Sequence, residues 1–318
     1  MRVIEAFTNP GPVDELALSP DGRLLAVAGA GVLAVWSFPD ARQMWEVMYP
    51  SVAQLAFSPD GTWLAIGRKD EVWAGPAAVP ENRFSWRIVE RGQAGGQFGG
   101  GVAFDPDGRH LLLTQYVPPS EGDYDAQLRG RLDRMTVPHG HRHKGPKIAT
   151  EFDRLAVSPD GDVFAGITPD ECEIRFTNSG GLNARHGFRQ MAGRYGSAAG
   201  IKPPTARYVS FDPGGEAVVF GWDDELRVAD TRSGQVVRRL QPPPGGRFAD
   251  AAYTGSGRHL GTVSGSGVLR LWDPPTLRLV REYDWGAGPL TRVAFTADGL
   301  AGACATPAGR VVAFDLDD

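Results

Sequence analysis

The sequence predicts an all-β fold: a seven-bladed propeller of four-stranded antiparallel blades, with the ring closed by the N-terminal strand in the last blade. Three observations carry that expectation. One short segment recurs along the whole chain, a Pro-Asp-Gly type turn punctuates the copies, and β-forming runs follow at fixed offsets. The clearest copy, LALSPDGRLLAVAG at 16–29, returns as LAFSPDGTWLAIGR at 55, VAFDPDGRHLLLTQ at 102 and LAVSPDGDVFAGIT at 155. Weaker copies are VSFDPGGEAVVFGW at 209, AAYTGSGRHLGTVS at 251 and VAFTADGLAGACAT at 293. Seven copies in 318 residues give a unit of about 45 residues, the length of a four-stranded blade.

Each unit has the same physical content. A run such as Leu55-Ala56-Phe57 is a short buried strand. The proline fixes φ, the glycine accepts a positive φ, and the second apolar run pairs back as a hairpin. Third strands follow as VLAVWSF at 32, CEIRFTN at 172, ELRVADT at 225, VLRLWDP at 268 and RVVAFDL at 310. Fourth strands are more polar and read RFSWRIVE at 83, GQVVRRL at 234 and RLVREYD at 278, as half-exposed outer strands should. The last unit has three strands and no fourth, while RVIEAF at 2–7 is a strand with no hairpin of its own. Placing it in the last blade completes the ring and pairs an edge that would otherwise stay open. The whole chain, 1–318, is thus read as one domain.

The units resemble WD40 repeats. SGSGVLRLWDPPTLRLV at 264–280, with Trp272-Asp273 closing the third strand, is the sharpest match, and the resemblance covers essentially the whole chain. There are departures. No Gly-His dipeptide precedes a first strand, and the aspartate usual in the turn before the third strand is Ser266 in the best copy, though Asp223 holds that place in blade five. The resemblance therefore implies a divergent WD40-like propeller in which the family's buried Asp-His-Ser/Thr-Trp network does not form as such. The insertion YVPPSEGDYDA at 116–126 makes blade three the most irregular.

The segment GAGVLAVW at 29–36 fits the G-x-G-x-x-A form of a dinucleotide loop. Such a loop must open a helix, but β-formers follow Gly31 and Pro39 then intervenes. AGAGVLAVW at 28 also occupies the same repeat position as SGSGVLRLW at 264, which makes it a turn between strands.

Composition narrows the class. A net charge of −5, with 42% hydrophobic and 22% charged residues, suits a soluble globular chain with no general attraction to nucleic acid or an anionic membrane. The 42 glycines and 25 prolines are spread along the chain, as many turns require. The N-terminus lacks the apolar core of a signal peptide, and the uncharged stretch 24–39 is too short to span a bilayer. Cys172 and Cys304 make no disulfide framework and are read as passive residues, so the expected compartment is the cytoplasm.

Candidate functional positions come from the repeat register. The residues just before the first strands are Glu15, Gln54, Gly101, Arg154, Tyr208, Asp250 and Arg292, and these should ring the mouth of the central channel. Propellers that resemble calcium-dependent lactonases gather carboxylates there as an oxygen cage. Here two carboxylates alternate with two arginines and a tyrosine, a mixture that suits a polypeptide partner or simple local ion pairing. Loops on the same face carry Tyr49, Phe98, Tyr195, Phe248 and Trp285, either as interface anchors or as packing between blades. HGHRHKGPK at 139–147 offers His139, His141 and His143 as weak metal candidates, in a segment whose cations face only Asp133. His110 and His259 recur after the glycine turns and read as structural, and His186 as a solvated outer-strand residue. No nucleophile signature occurs.

The resulting expectation is a non-catalytic scaffold, monomeric on its own, that binds a protein or peptide through Glu15, Gln54, Arg154, Tyr208, Asp250, Arg292, Phe98, Tyr195 and Trp285, with no cofactor and no nucleic-acid or membrane partner. The alternative is a channel-based hydrolase or lactonase-like enzyme, or a metal-binding propeller.

Overall fold

The repeats fold because each Pro-Asp-Gly turn is built by its own side chains. In the computed structural model, Ser58 donates its hydroxyl hydrogen to Asp60 and accepts from the amide of Trp63 at 2.9 Å, while Asp60 accepts from the amide of Thr62 at 3.0 Å. Gly61 takes φ +73°, which a side chain would strain. Ser19 with Asp21, Ser158 with Asp160 and Thr296 with Asp298 repeat the arrangement. The structure describes residues 2–5, 11–49, 51–68, 71–79, 84–86, 98–116, 130–148, 152–168, 171–187, 207–243 and 246–316.

From each turn a hairpin returns, and third and fourth strands add in order, giving seven small antiparallel sheets. The innermost strands are Val13–Leu18, Gln54–Phe57, Phe98–Phe104, Arg154–Val157, Arg207–Phe211, Phe248–Tyr253 and Arg292–Phe295. Each of them contacts the next, and the last contacts the first, so the sheets form a closed ring: a seven-bladed β-propeller. In the seventh sheet the outermost strand is Arg2–Glu5, which pairs with Arg310–Asp315 in the register Arg2↔Ala313 to Glu5↔Arg310.

Blade three departs from the others. Its third strand, Gly130–Thr136, pairs with two short outer pieces, Arg142–His143 and Lys147–Ile148. Most of the insertion expected at 116–126 lies outside the described residues.

The core sits between blades, where alternate side chains of neighbouring sheets meet. Val27 of blade one packs with Val311 and Ala313 of blade seven, and Ile174 of blade four with Phe220 and Trp222 of blade five. Close approach fixes one glycine: a Cβ on Gly166 would lie 2.3 Å from the ring of Phe152, a fully buried residue.

Three consecutive blades also bury a carboxylate in the sheet, each held by two arginines. In blade four Glu173 accepts from Arg175 and Arg185, both at 2.6 Å. Glu225 in blade five accepts from Arg227 at 2.6 Å and Arg239 at 3.1 Å, and Asp133 in blade three from Arg131 at 2.6 Å and Arg142 at 2.7 Å. The positions of Glu173 and Glu225 were read from the sequence as ordinary third strand, and Asp133 as the one acid in a basic segment.

Candidate functional site

The residues expected just before the first strands lie at the start of those strands or within them, and the structure brings the side chains of Glu15, Arg154 and Arg292 together across the ring. Glu15, from blade one, is 4% exposed. It accepts from Arg154 of blade four, on the opposite side of the ring, through Nη1 to Oε2 at 3.0 Å and through Nη2 to Oε1. Arg292 of blade seven reaches the same Oε1 from Nε at 3.3 Å and Nη2 at 3.2 Å. A single carboxylate thus gathers two guanidinium groups over the channel.

Gln54 and Asp250 complete the constellation. Gln54 Nε2 donates to the carbonyl of Leu155 at 2.7 Å, and its Oε1 accepts from the amides of Val102 at 3.1 Å and Leu155 at 2.9 Å. Asp250 accepts from the amide of Val293 at 3.1 Å and from that of Ala251 at 2.9 Å. Gly101 has no side chain to contribute, and this is its role. Its amide donates to Phe152 at 3.0 Å, and an added Cβ would lie 2.8 Å from that same carbonyl oxygen.

The electrostatics follow from this geometry. Burial raises the Asp250 carboxyl above its ordinary value, against the pull of Arg292 and Arg154. Burial works to lower the Arg154 guanidinium, but Glu15 and then Asp250 outweigh it and hold the group above its usual value. Glu15 with Arg154 and Arg292, and Asp250 with the backbone of Val293, thus form a hydrogen-bonded cluster of acids and arginines at the channel mouth.

Several sequence candidates stand elsewhere. Tyr208 is 2% exposed and donates its hydroxyl toward the carbonyls of Trp222 at 3.3 Å and Glu225 at 3.4 Å, so it is a core residue of blade five and no surface anchor. Its register position is correct; the ring turns inward because Gly221 leaves room for it. Phe248 and Tyr49 are likewise buried between blades. Trp285 is half-buried, stacked on Phe314 at 4.8 Å and on Tyr283 at 5.7 Å, so only part of its ring faces outward. Phe98 opens the innermost strand of blade three, with a side chain outside the described set, and Tyr195 lies outside the described residues altogether.

The histidine cluster does not converge. His139 and His141 approach each other to 6.2 Å between ring centres, whereas His143 turns toward His110 at 6.4 Å. His110 in turn contacts Asp107 at 2.6 Å. Among the described residues no group of three such side chains is placed to hold a metal ion. His186 is not a solvated residue. It stacks on Phe220 at 5.1 Å with Nε2 2.9 Å from the carbonyl of Gly234, and burial lowers its pKa.

Charged pairs on the turns between second and third strands were missed. Arg68 pairs with Glu71 at 2.6 Å, and Arg247, 73% exposed, reaches Asp223 at 3.6 Å and Asp224 at 3.9 Å. Asp14 stands exposed beside Glu15, and partial burial of its carboxyl, opposed by Arg292, raises its pKa. The available signal was a charged residue recurring in the turn that faces the channel mouth. No model of a known protein family matches the chain.

Proposed function

We propose that this propeller is a divergent, WD40-like, non-catalytic platform that binds a protein or peptide on its channel-mouth face. The carrying observation is the hydrogen-bonded cluster at the channel mouth. The carboxylates of Glu15 and Asp250 accept from arginines and main-chain amides, so they already have the partners that an oxygen cage for a hard cation, or a general acid-base pair, must do without. The face around the cluster, with Asp14, Asp224, Arg247, the open side of Trp285 and the edges of Arg154 and Arg292, presents mixed charge beside an aromatic ring. That chemistry suits a polypeptide. A WD40-like kinship is supported by Trp272, whose Nε1 donates to Thr262 Oγ1 at 2.9 Å. That is the Trp to Ser/Thr link alone of the family's four-member network. Two buried free thiols, Cys172 and Cys304, agree with a reducing compartment such as the cytoplasm, and among the described residues no helix is long and apolar enough to cross a membrane.

The test is retention of a stoichiometric partner from native extract. The wild type is compared with an Asp14→Lys, Arg247→Glu variant, both first shown to melt alike. Loss in the variant supports the platform and its face. The enzymatic alternative predicts a calcium-dependent rise in melting temperature that Glu15→Ala with Asp250→Ala abolishes; finding it would replace the platform reading.

A further inference from the structure

We propose that a cleft between blades one and two, separate from the channel mouth, binds a proline-rich peptide and seats a prolyl ring where blade two has no side chain. The space comes from the repeat itself. Three residues beyond each turn glycine, the second strand pairs with one fixed place on the third: Leu25 with Trp36 in blade one, Leu260 with Trp272 in blade six and Gly302 with Phe314 in blade seven. In blade two, Leu64 pairs with Gly75. A glycine thus stands where three other blades place an aromatic ring. Blade seven shows how that place is used, since Phe314 stacks on Trp285 of blade six at 4.8 Å. Tyr49 stands in blade one where Trp285 stands in blade six, each following the outer residue paired with the first valine of its third strand. Without a ring at Gly75, an open cleft remains, with Trp45 and Tyr49 of blade one on one side and Leu64, Ile66, Trp73 and Gly75 of blade two on the other.

The chemistry of this cleft is one-sided. Its walls are aliphatic side chains and aromatic rings, with Tyr49 and Trp73 meeting edge to face at 5.5 Å and 88°, and no carboxylate, amide or cationic side chain lines it. Trp45 already donates its indole N–H to the carbonyl of Ala77 at 2.9 Å. The indole N–H of Trp73 is buried and has no acceptor among the described residues. A buried indole N–H ordinarily finds one, because leaving it unpaired forfeits its bond to water with nothing in return. This unused donor selects the ligand. An ordinary peptide residue brings an N–H along with its carbonyl, and the cleft has no carboxylate or amide side chain to accept it. Proline brings the carbonyl alone. Its compact apolar ring suits the space left at Gly75, and consecutive prolines hold their extended left-handed helix before binding, so little entropy is lost on docking. Grooves walled by aromatic rings recognise such segments in this way. A nucleic acid or a charged peptide gains nothing from a lining without ionic groups.

The experiment uses fluorescence anisotropy with the full chain and a fluorescein-labelled octaproline peptide, with Gly-Ala-Ser and Gly-Ser-Phe repeats of similar length as comparison probes. The expected result is saturable binding of octaproline alone, unchanged between low and high salt because no ionic group lines the cleft. Trp73→Phe keeps an aromatic ring and removes the N–H, and should weaken binding about three- to tenfold. Gly75→Val puts a side chain into the space and should abolish binding; if that variant fails to fold, Trp73→Phe decides the matter. The channel-mouth variant Asp14→Lys, Arg247→Glu should bind octaproline like the wild type, so failure of the platform reading and failure of this one are distinguishable. Absence of octaproline binding, wild-type affinity in Trp73→Phe or in folded Gly75→Val, loss only in the channel-mouth variant, marked weakening by salt, or equal or tighter binding of either comparison probe would each overturn the proposal.

Discussion

Replacing Glu15 by glutamine removes the one charge that two arginines share over the channel. The amide still fits the space, but it carries no charge, and its NH2 group stands where Oε2 accepts from Arg154, so a donor meets a donor. Removing one partner of a buried ion pair costs roughly 3–5 kcal/mol when the remaining charge has no access to water. The side chains of Arg154 and Arg292 are 17% and 21% exposed, so part of that penalty is relieved by solvent at the mouth, and about 2–3 kcal/mol is expected. With an unfolding entropy of about 2 cal/mol/K per residue over 318 residues, the melting temperature should fall by about 3–5 °C. Differential scanning calorimetry at two ionic strengths measures this, and the fall should be nearly independent of salt because the cluster is shielded. Adding Arg154→Met should then cost less than the two single changes together, since the second change removes a charge the first left exposed to burial. A Glu15→Gln fall below about 1 °C, or strict additivity with Arg154→Met, would refute the cluster as a unit.

Three further outcomes are expected. Gly166→Ala drives a methyl into the Phe152 ring and should destabilise by about 2–3 kcal/mol, with Phe152→Leu in the same chain recovering part of the loss; chemical denaturation of the three variants checks it. Asp60, Asp160 and Asp298 are held below the ordinary carboxylate value of 3.8 by hydrogen bonds from Ser58, Ser158 and Thr296 and from backbone amides. A depressed folded value means that their contribution is complete above the ordinary value and is lost as the pH falls through the folded one. The triple Asp→Asn variant should therefore show a flatter loss of stability between about pH 5 and pH 2 in urea titrations. Burial pushes the thiols of Cys172 and Cys304 far up, so neither should react with an aromatic disulfide reagent in the native protein, and both should react in denaturant.

Local chemistry was legible in the sequence because its causes are local. The segment from Ser58 to Trp63 contains every partner of its own turn, and the strands on either side need only alternate apolar residues. The register that placed Glu15, Gln54, Arg154 and Arg292 at the channel was legible for the same reason. What those residues do there was not, because the partner of Glu15 is Arg154, far away in the chain and opposite in the ring, and no spacing rule links them. Tyr208 shows the converse. Its position in the repeat matches the others, yet the room left by Gly221 turns its ring into the core. The Glu-x-Arg pairs at 173–175 and 225–227 did carry a signal, two charges at alternate places in an otherwise apolar third strand, but their outer partners Arg185 and Arg239 come from a different strand.

In most arrays of repeats each unit touches only its immediate neighbours, and the stability of the whole is close to a sum of unit and nearest-neighbour contributions. The side chains over this channel break that rule, since Glu15 couples blade one to blade four and Gln54 couples blade two to both three and four. Disturbance of one blade is thereby felt by units that never touch it, so the ring has reason to unfold as a single cooperative body and no stepwise fraying from one side is favoured. A shortened version lacking one repeat would lose these cross-ring links together with its neighbour contacts, and its deficit would exceed what one blade's own packing accounts for.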